Sequence, residues 1–172
     1  MDASALLKSF CSAVERRDGK AFAELFTEDG VYHDVFYGAF KGRQKIAEMI
    51  DDWFHRTARD FRWEMFRPVS DGRTLYAYYT FSYVSALPEA KGKRVGFEGV
   101  SMMSLRDGKI TEYREVANVG PGFVDMGFAP ERVAKLPENA ARHNRAKPNR
   151  DDQRRYDLIS HSQLRPTLRL HR

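Results

Sequence analysis

Two acidic residues, Asp34 and Glu115, stand in stretches whose other residues favour strands. A carboxylate that faces an apolar pocket loses hydration, and its pKa rises. Two carboxylates in one pocket titrate apart, which leaves one as an acid and the other as a base. Such a pair can shuttle a proton beside a carbonyl group with neither metal nor cofactor. Tyr113 shares a strand face with Glu115 and can donate a hydrogen bond to the developing oxyanion.

The same carboxylates also allow a purely structural interpretation. An error of one residue in strand register turns Asp34 and Glu115 toward solvent. Glu115 can instead pair with an arginine such as Arg62 or Arg114. The catalytic hypothesis therefore depends on both carboxylates facing a single cavity.

Hydrophobic periodicity predicts the elements that position these residues. Apolar residues at helical spacing predict helices over 3–17, 20–27 and 43–56. β-branched and aromatic residues predict strands over 31–37, 61–69, 74–86, 94–105 and 110–119. Turn residues at 70–73 and 106–109 separate the later strands. Short helical segments are predicted over 123–128 and 130–136.

The order of these elements predicts the fold class. The last four strands are joined mostly by short connections, which imply antiparallel neighbours. Helices that are segregated from such a meander predict an α+β fold, in which a curved sheet wraps around packed helices.

The net charge of +5 is unevenly distributed along the 172 residues. Residues 142–172 contain nine Lys or Arg and three Asp, whereas residues 1–141 contain 20 basic and 21 acidic side chains. We therefore predict one nearly neutral domain over 1–141 and a basic, disordered tail over 142–172. The tail has too little apolar surface to offset the entropy that ordering would cost. Nucleic-acid binding by the tail is an alternative, but the absence of a recognisable nucleic-acid module favours a solvated terminus.

Composition excludes several classes of protein. No run approaches the roughly 20 apolar residues of a membrane span, and the N-terminus lacks the features of a secretory signal. Cys11 is the only cysteine, so neither an internal disulfide nor a cysteine-based zinc site can form. His33 and His55 have no partner at ligand spacing, and we expect no metal. These features predict a cytoplasmic protein without a cofactor.

Several segments together resemble a known superfamily. Residues 26–34 (FTEDGVYHD) and 42–46 (GRQKI) resemble the first-strand and third-helix region of the SnoaL-like and ketosteroid-isomerase branch of the nuclear transport factor 2-like superfamily. Residues 97–99 (FEG) and 106–115 (RDGKITEYRE) resemble the last hairpin of SnoaL-type polyketide cyclases, and residues 122–128 (GFVDMGF) are similar to the segment after it. The resemblance covers about residues 5–135.

The resemblance implies a cone-shaped α+β barrel with one deep pocket, which relatives use for isomerisation, cyclisation, epoxide hydrolysis, dehydration or ligand binding. Asp34 falls where the isomerases carry a carboxylate base, and Glu115 where the cyclases carry their acid/base aspartate. Ser101 occupies the position of a protonated Asp donor in the isomerases and of a His in the cyclases. The oxyanion tyrosine of the isomerases has no counterpart, because its position falls near Ser12.

From these observations we expect the pocket to bind a small apolar molecule. Catalysis is assigned to Asp34, Glu115 and Tyr113. The substrate-binding residues are predicted to be Tyr32, Trp63, Tyr78, Phe97 and Ser101. Relatives commonly pair through the outer sheet face, so a homodimer is also expected. The alternative function is a non-catalytic ligand-binding or dimerisation module of the same fold.

Overall fold

The computed structural model describes residues 2–129 and 131, which belong to one compact unit, Met1–Val133. The predicted tail over 142–172 and nearly all of the predicted helix over 130–136 lie outside the described residues. The helices are α1 (Ala3–Glu15), α2 (Gly19–Ala23), α3 (Arg43–Glu48), α4 (His55–Thr57) and α5 (Gly120–Asp125). The strands are β1 (Phe26–Asp34), β2 (Gly38–Lys41), β3 (Ala58–Ser70), β4 (Thr74–Ser85), β5 (Arg94–Arg106) and β6 (Lys109–Asn118). A π-helical segment, Met49–Phe54, joins α3 to α4, and a 3₁₀ turn, Pro88–Ala90, precedes β5.

The six strands form one curved, open sheet in the order β2-β1-β6-β5-β4-β3. Strands β3 to β6 form an antiparallel meander. The last strand of the meander, β6, pairs in parallel with β1. This parallel pair places Tyr32 beside Tyr113 and brings the end of β1 close to the middle of β6. The predicted α+β class is confirmed, with one parallel pair in an otherwise antiparallel sheet.

Several predicted boundaries are wrong. The helix predicted over 20–27 ends at Ala23. The strand predicted over 31–37 starts at Phe26 and ends at Asp34, with a register shift between Phe26 and Val31. Gly38–Lys41, between two predicted elements, forms β2 and pairs with the end of β1. The helical segment predicted over 123–128 begins at Gly120 and ends at Asp125.

Helix α1 fills the inside of the curved sheet. The Asp2 carboxylate caps its N-terminus by accepting a hydrogen bond from the Ser4 amide. The apolar face of the helix is buried, and Phe10 is fully enclosed. The Phe10 ring stacks on Tyr113 at a centroid distance of 5.1 Å and meets the edge of Trp63 at 5.3 Å. The helix therefore supports β3 and β6 from inside the sheet.

Candidate active site

A cavity of about 80 Å³ lies against the inner face of the sheet, beside the helical turn that carries Phe54 and Thr57. Its volume is well below the ~300–1,000 Å³ of pockets that enclose drug-sized ligands. Ten of its lining side chains are aromatic: Tyr32, Phe36, Tyr37, Phe54, Phe61, Trp63, Tyr79, Phe81, Tyr83 and Phe97. The others are Asp34, Thr57, Ala58, Leu87 and Glu115. Both predicted carboxylates therefore line one cavity.

Glu115 ends a chain of hydrogen bonds that runs along the wall of the cavity. The Tyr113 hydroxyl donates to Glu115 Oε2 at 3.2 Å and lies 3.0 Å from Ser101 Oγ. Ser101 is the register partner of Glu115 on β5. The Tyr113 ring is held between Phe10 and Tyr32, with centroids 5.1 and 4.4 Å away. The rigid packing of these rings fixes the hydroxyl that orients the carboxyl group.

The Tyr79 hydroxyl lies close enough to Glu115 to lower its pKa, and Gly99 makes this approach feasible. Tyr79 pairs with Gly99, so its side chain crosses β5 toward β6. A Cβ atom at residue 99 would lie 2.7 Å from the Tyr79 hydroxyl and 2.4 Å from the Val116 carbonyl oxygen. Only glycine therefore leaves room for the Tyr79 hydroxyl beside the Glu115 carboxyl group.

Asp34 has a structural partner as well as a place in the cavity. Its Oδ1 atom accepts hydrogen bonds from the backbone N–H groups of Phe36 and Tyr37, each at 2.8 Å. These bonds close the turn between β1 and β2, and the two aromatic side chains of that turn line the cavity. One carboxylate oxygen of Asp34 thus anchors the turn, which leaves Oδ2 for other contacts.

Burial raises the pKa of both carboxyl groups. Loss of hydration raises the pKa of Asp34 to about 6, against the lowering effect of the Tyr37 and Phe36 amides. Loss of hydration also raises the pKa of Glu115 to about 7. The neighbouring Tyr79 hydroxyl lowers the pKa of Glu115, the charge of Asp34 raises it, and the Tyr113 hydroxyl lowers it. As pH rises, Asp34 therefore ionises before Glu115.

The structure brings together Asp34, Glu115, Tyr32, Trp63 and Phe97 from the predicted set, because all five line the cavity. Two buried donors among them, Tyr32 Oη and Trp63 Nε1, have no hydrogen-bond partner among the described protein atoms. Such atoms are rare in folded proteins and suit a ligand that carries an acceptor.

Tyr113 and Ser101 lie behind the residues that line the cavity. The geometry therefore does not favour the direct contact with substrate that was predicted for them. Both are fully buried, and Tyr113 uses its hydroxyl on Glu115. Their hydrogen bonds place them in a positioning role for that carboxyl group.

The placement of Tyr78 in the cavity is wrong. Its side chain lies on the outer sheet face, is 39% exposed and donates a hydrogen bond to Glu98. Because side chains alternate along β4, the inward position belongs to Tyr79. The available signal was parity: Tyr79 shares a strand face with Leu75 and Ala77, both of which are buried.

No group of three or more His, Cys, Asp or Glu residues that could hold a metal ion occurs within residues 2–129 and 131. In the same part of the chain, no helix combines the length and apolar character needed to cross a membrane. The expectations of no metal and no cofactor stay predictions.

The chain belongs to the SnoaL-like family: the family model described as the SnoaL-like domain matches residues 7–113. This match covers strands β1 to β5 and the part of β6 that carries Tyr113. No curated protein matches the chain.

Solved structures share the fold at low sequence identity. A hypothetical protein from Catenulispora acidiphila, with a ketosteroid isomerase-like fold and in complex with trimethylamine, aligns with a TM-score of 0.64 and 15% identity over 73% of this chain and 95% of its own. An M. tuberculosis epoxide hydrolase of the LEH-like type aligns with a TM-score of 0.59 and 18% identity, over 78% of this chain and 94% of its own. A candidate polyketide cyclase from Xanthomonas campestris aligns with a TM-score of 0.56 and 22% identity, over 78% of this chain and 96% of its own. At these identities the likeness shows the fold.

The contact between Gly99 and Tyr79 generates a prediction. The substitution Gly99→Ala is expected to displace the Tyr79 hydroxyl and raise the pKa of Glu115, because that hydroxyl lowers it. Tyr79→Phe is expected to shift the pKa in the same direction. Carbon-13 NMR titration of the glutamate carboxyl groups measures both. Gly96→Ala is the matched control, because its added Cβ meets only atoms at 3.7 Å; a Glu115 pKa that stays unchanged in Gly99→Ala and Tyr79→Phe would contradict the assignment.

The raised pKa of Glu115 also predicts how stability depends on pH. The ordinary pKa of a glutamate is 4.5, and in the folded chain the pKa of Glu115 is about 7. Between these two pH values the folded chain keeps a proton that the unfolded chain releases. The free energy of unfolding therefore falls as pH rises through this range, by about 3 kcal/mol for this group. Urea denaturation at about pH 4 and pH 8 should show this loss in the wild type relative to Glu115→Gln. Glu98→Gln, on the outer face, should keep the wild-type dependence, and parallel curves for wild type and Glu115→Gln would refute the prediction.

Proposed function

We propose that this SnoaL-like protein catalyses cofactor-free proton transfer on a small, apolar carbonyl compound. The observation that carries the proposal is the pair of buried carboxyl groups, Asp34 and Glu115, on one aromatic-lined cavity. The difference between their pKa values separates a base from an acid at neutral pH. Isomerisation, dehydration and aldol cyclisation all begin with this kind of transfer.

In the proposed reaction the ionised Asp34 removes a proton from the carbon next to the substrate carbonyl. The electron pair of the broken C–H bond moves toward the carbonyl oxygen and gives an enolate. Protonated Glu115 then donates its proton to the enolate. Asp34 afterwards releases its proton to solvent and Glu115 takes one up from solvent, which restores both groups. Trp63 Nε1, Tyr32 Oη and Tyr79 Oη line the cavity without a hydrogen-bond partner among the described protein atoms, and each can donate to the carbonyl oxygen.

Tyr113, Tyr79 and Ser101 act in this scheme through Glu115. The hydroxyl groups of Tyr79 and Tyr113 lower the pKa of Glu115, which burial alone would raise further. They thus keep the acid near neutrality, where general acid catalysis is most efficient.

A second candidate function is ligand binding without catalysis. One observation favours it: an oxygen of Asp34 is committed to the turn at Phe36 and Tyr37, which competes with a role as a base. The structurally similar protein from Catenulispora acidiphila is in complex with a small molecule, trimethylamine.

The catalytic proposal predicts hydrogen–deuterium exchange of simple ketones. Wild-type protein should accelerate exchange at the α-carbon of cyclohexanone in D₂O and isomerise 3-cyclohexenone to 2-cyclohexenone. Asp34→Asn and Glu115→Gln should each lose at least about 100-fold of the rate, because general acid–base groups contribute about 10²–10⁴-fold. The pH profile should be bell-shaped, rising near pH 6 and falling near pH 7.

Tyr78→Phe is the control for this experiment, since it removes a hydroxyl group from the outer sheet face. It should exchange ketones at the wild-type rate. Wild-type protein that gives no acceleration over buffer, or a Glu115→Gln variant as fast as wild type, would overturn catalysis on carbonyl compounds and leave ligand binding as the function.

We also propose that the chain forms a homodimer through its outer sheet face. Strands β3 to β6 expose large apolar side chains on that face: Phe66, Tyr76, Tyr78, Val100 and Val116. Contiguous exposed apolar surface commonly marks an interface. Sedimentation should give a dimer for the wild type and a monomer for Val100→Glu, while Val124→Glu, on α5, should remain dimeric. A wild-type monomer at micromolar concentration would contradict the proposal.

A further inference from the structure

The cavity contains two acidic groups, Asp34 and Glu115, which are both buried. Within residues 2–129 and 131, no Lys, Arg or His is among the side chains that line it. A buried carboxylate without a counter-charge is strongly unfavourable, and a second one in the same cavity adds repulsion. The site is therefore complementary to positive charge.

The basic residues nearest to this region have other contacts. Arg56 lies over the Trp53 ring, 5.3 Å from its centroid. The His55 ring nitrogen is 3.2 Å from the Val14 carbonyl oxygen, and burial lowers the His55 pKa. Neither residue lines the cavity, so neither supplies the missing counter-charge there.

The walls between the carboxyl groups are aromatic and closely packed. The Trp63 ring lies 5.7 Å from Tyr79 and 4.8 Å from Phe81, and Phe81 lies 5.2 Å from Phe97. Aromatic faces attract alkylammonium ions through their quadrupoles, and groups of such rings form the recognition sites of methylated ammonium ligands. Asp34 and Glu115 supply the formal charge that the rings lack.

We propose that this cavity binds a small methylated ammonium ion, with its positive charge between Asp34 and Glu115 and its methyl groups against Trp63, Tyr79 and Phe81. The volume of about 80 Å³ suits a compact head group. The acidic lining opposes free carboxylates and phosphates. Binding of this ion does not require turnover, so the inference extends beyond the proton-transfer proposal.

Charge and shape can be separated with a matched pair of ligands. Choline carries a trimethylammonium head group, and 3,3-dimethylbutan-1-ol has the same shape without the charge. Calorimetry, together with tryptophan fluorescence that reports on Trp63, measures both affinities. Choline should bind at least about tenfold more tightly than the neutral alcohol, since a desolvated cation–π contact contributes about 2 kcal/mol or more.

Variants then test the carboxyl groups directly. At pH 8, above the Glu115 pKa of about 7, Glu115→Gln should weaken choline binding at least about fivefold while changing the affinity for the neutral alcohol little. Glu98→Gln, on the outer sheet face, should bind choline like the wild type. Circular dichroism and thermal unfolding confirm that each variant is folded, and Glu115→Asp, which keeps the charge, should restore part of the affinity if Glu115→Gln is destabilised.

Affinity for choline should rise from about pH 5 to about pH 8 as the two carboxyl groups ionise. The other titratable groups that face them are Tyr32, Tyr37, Tyr79 and Tyr113, whose pKa values are all raised above 10 by burial and which stay neutral in this range. The neighbouring Arg56 lowers the pKa of Tyr37.

Three outcomes would overturn the inference: equal affinity for choline and the neutral alcohol, wild-type affinity for choline in Glu115→Gln, or no choline binding at millimolar concentration. Each of these results concerns binding in the absence of a ketone. Ketone exchange that persists without choline binding would refute cation recognition alone, whereas choline binding without ketone exchange would refute catalysis alone.

Discussion

The burial of Glu115 is the constraint on which the rest of the site depends. A glutamate on the inner face of a sheet loses its hydration, and the structure compensates with hydroxyl groups from its own strand, β6, and from β4. Tyr113 approaches along β6 and is fixed by the rings of Phe10 and Tyr32. Tyr79 approaches across β5, where Gly99 leaves room. Helix packing, strand pairing and one glycine therefore converge on a single carboxyl group.

The topology explains how a second carboxyl group reaches the same cavity. Asp34 is the last residue of β1, and β1 pairs in parallel with β6 beside Tyr113. The chain must turn away immediately after Asp34, because β2 runs antiparallel to β1. The side chain that closes this turn is therefore also a side chain of the cavity. A sheet with its strands in another order would not bring residues so distant in sequence to one site.

Sequence periodicity predicted the fold class, because the meander and its turns have strong local signals. Asp34 and Glu115 were candidates through the family resemblance, and periodicity alone left open whether they face one cavity. The faces of β4 were harder to assign. Tyr78 and Tyr79 are adjacent and chemically identical, so which one faces inward depends on the register with β3 and β5 rather than on residue type. The importance of Gly99 follows from a contact between strands, which a pattern along one strand does not contain.

The two carboxyl groups differ in what their removal would disturb. Asp34 anchors the turn through Phe36 and Tyr37, whose side chains line the cavity, so a change at Asp34 alters shape and charge together. Glu115 accepts its hydrogen bond from a tyrosine that is also held by ring stacking and by Ser101. Its replacement by glutamine keeps the size of the group and removes its ability to ionise. The chemistry of the cavity is therefore separable from its architecture at Glu115, and at Asp34 the two are linked.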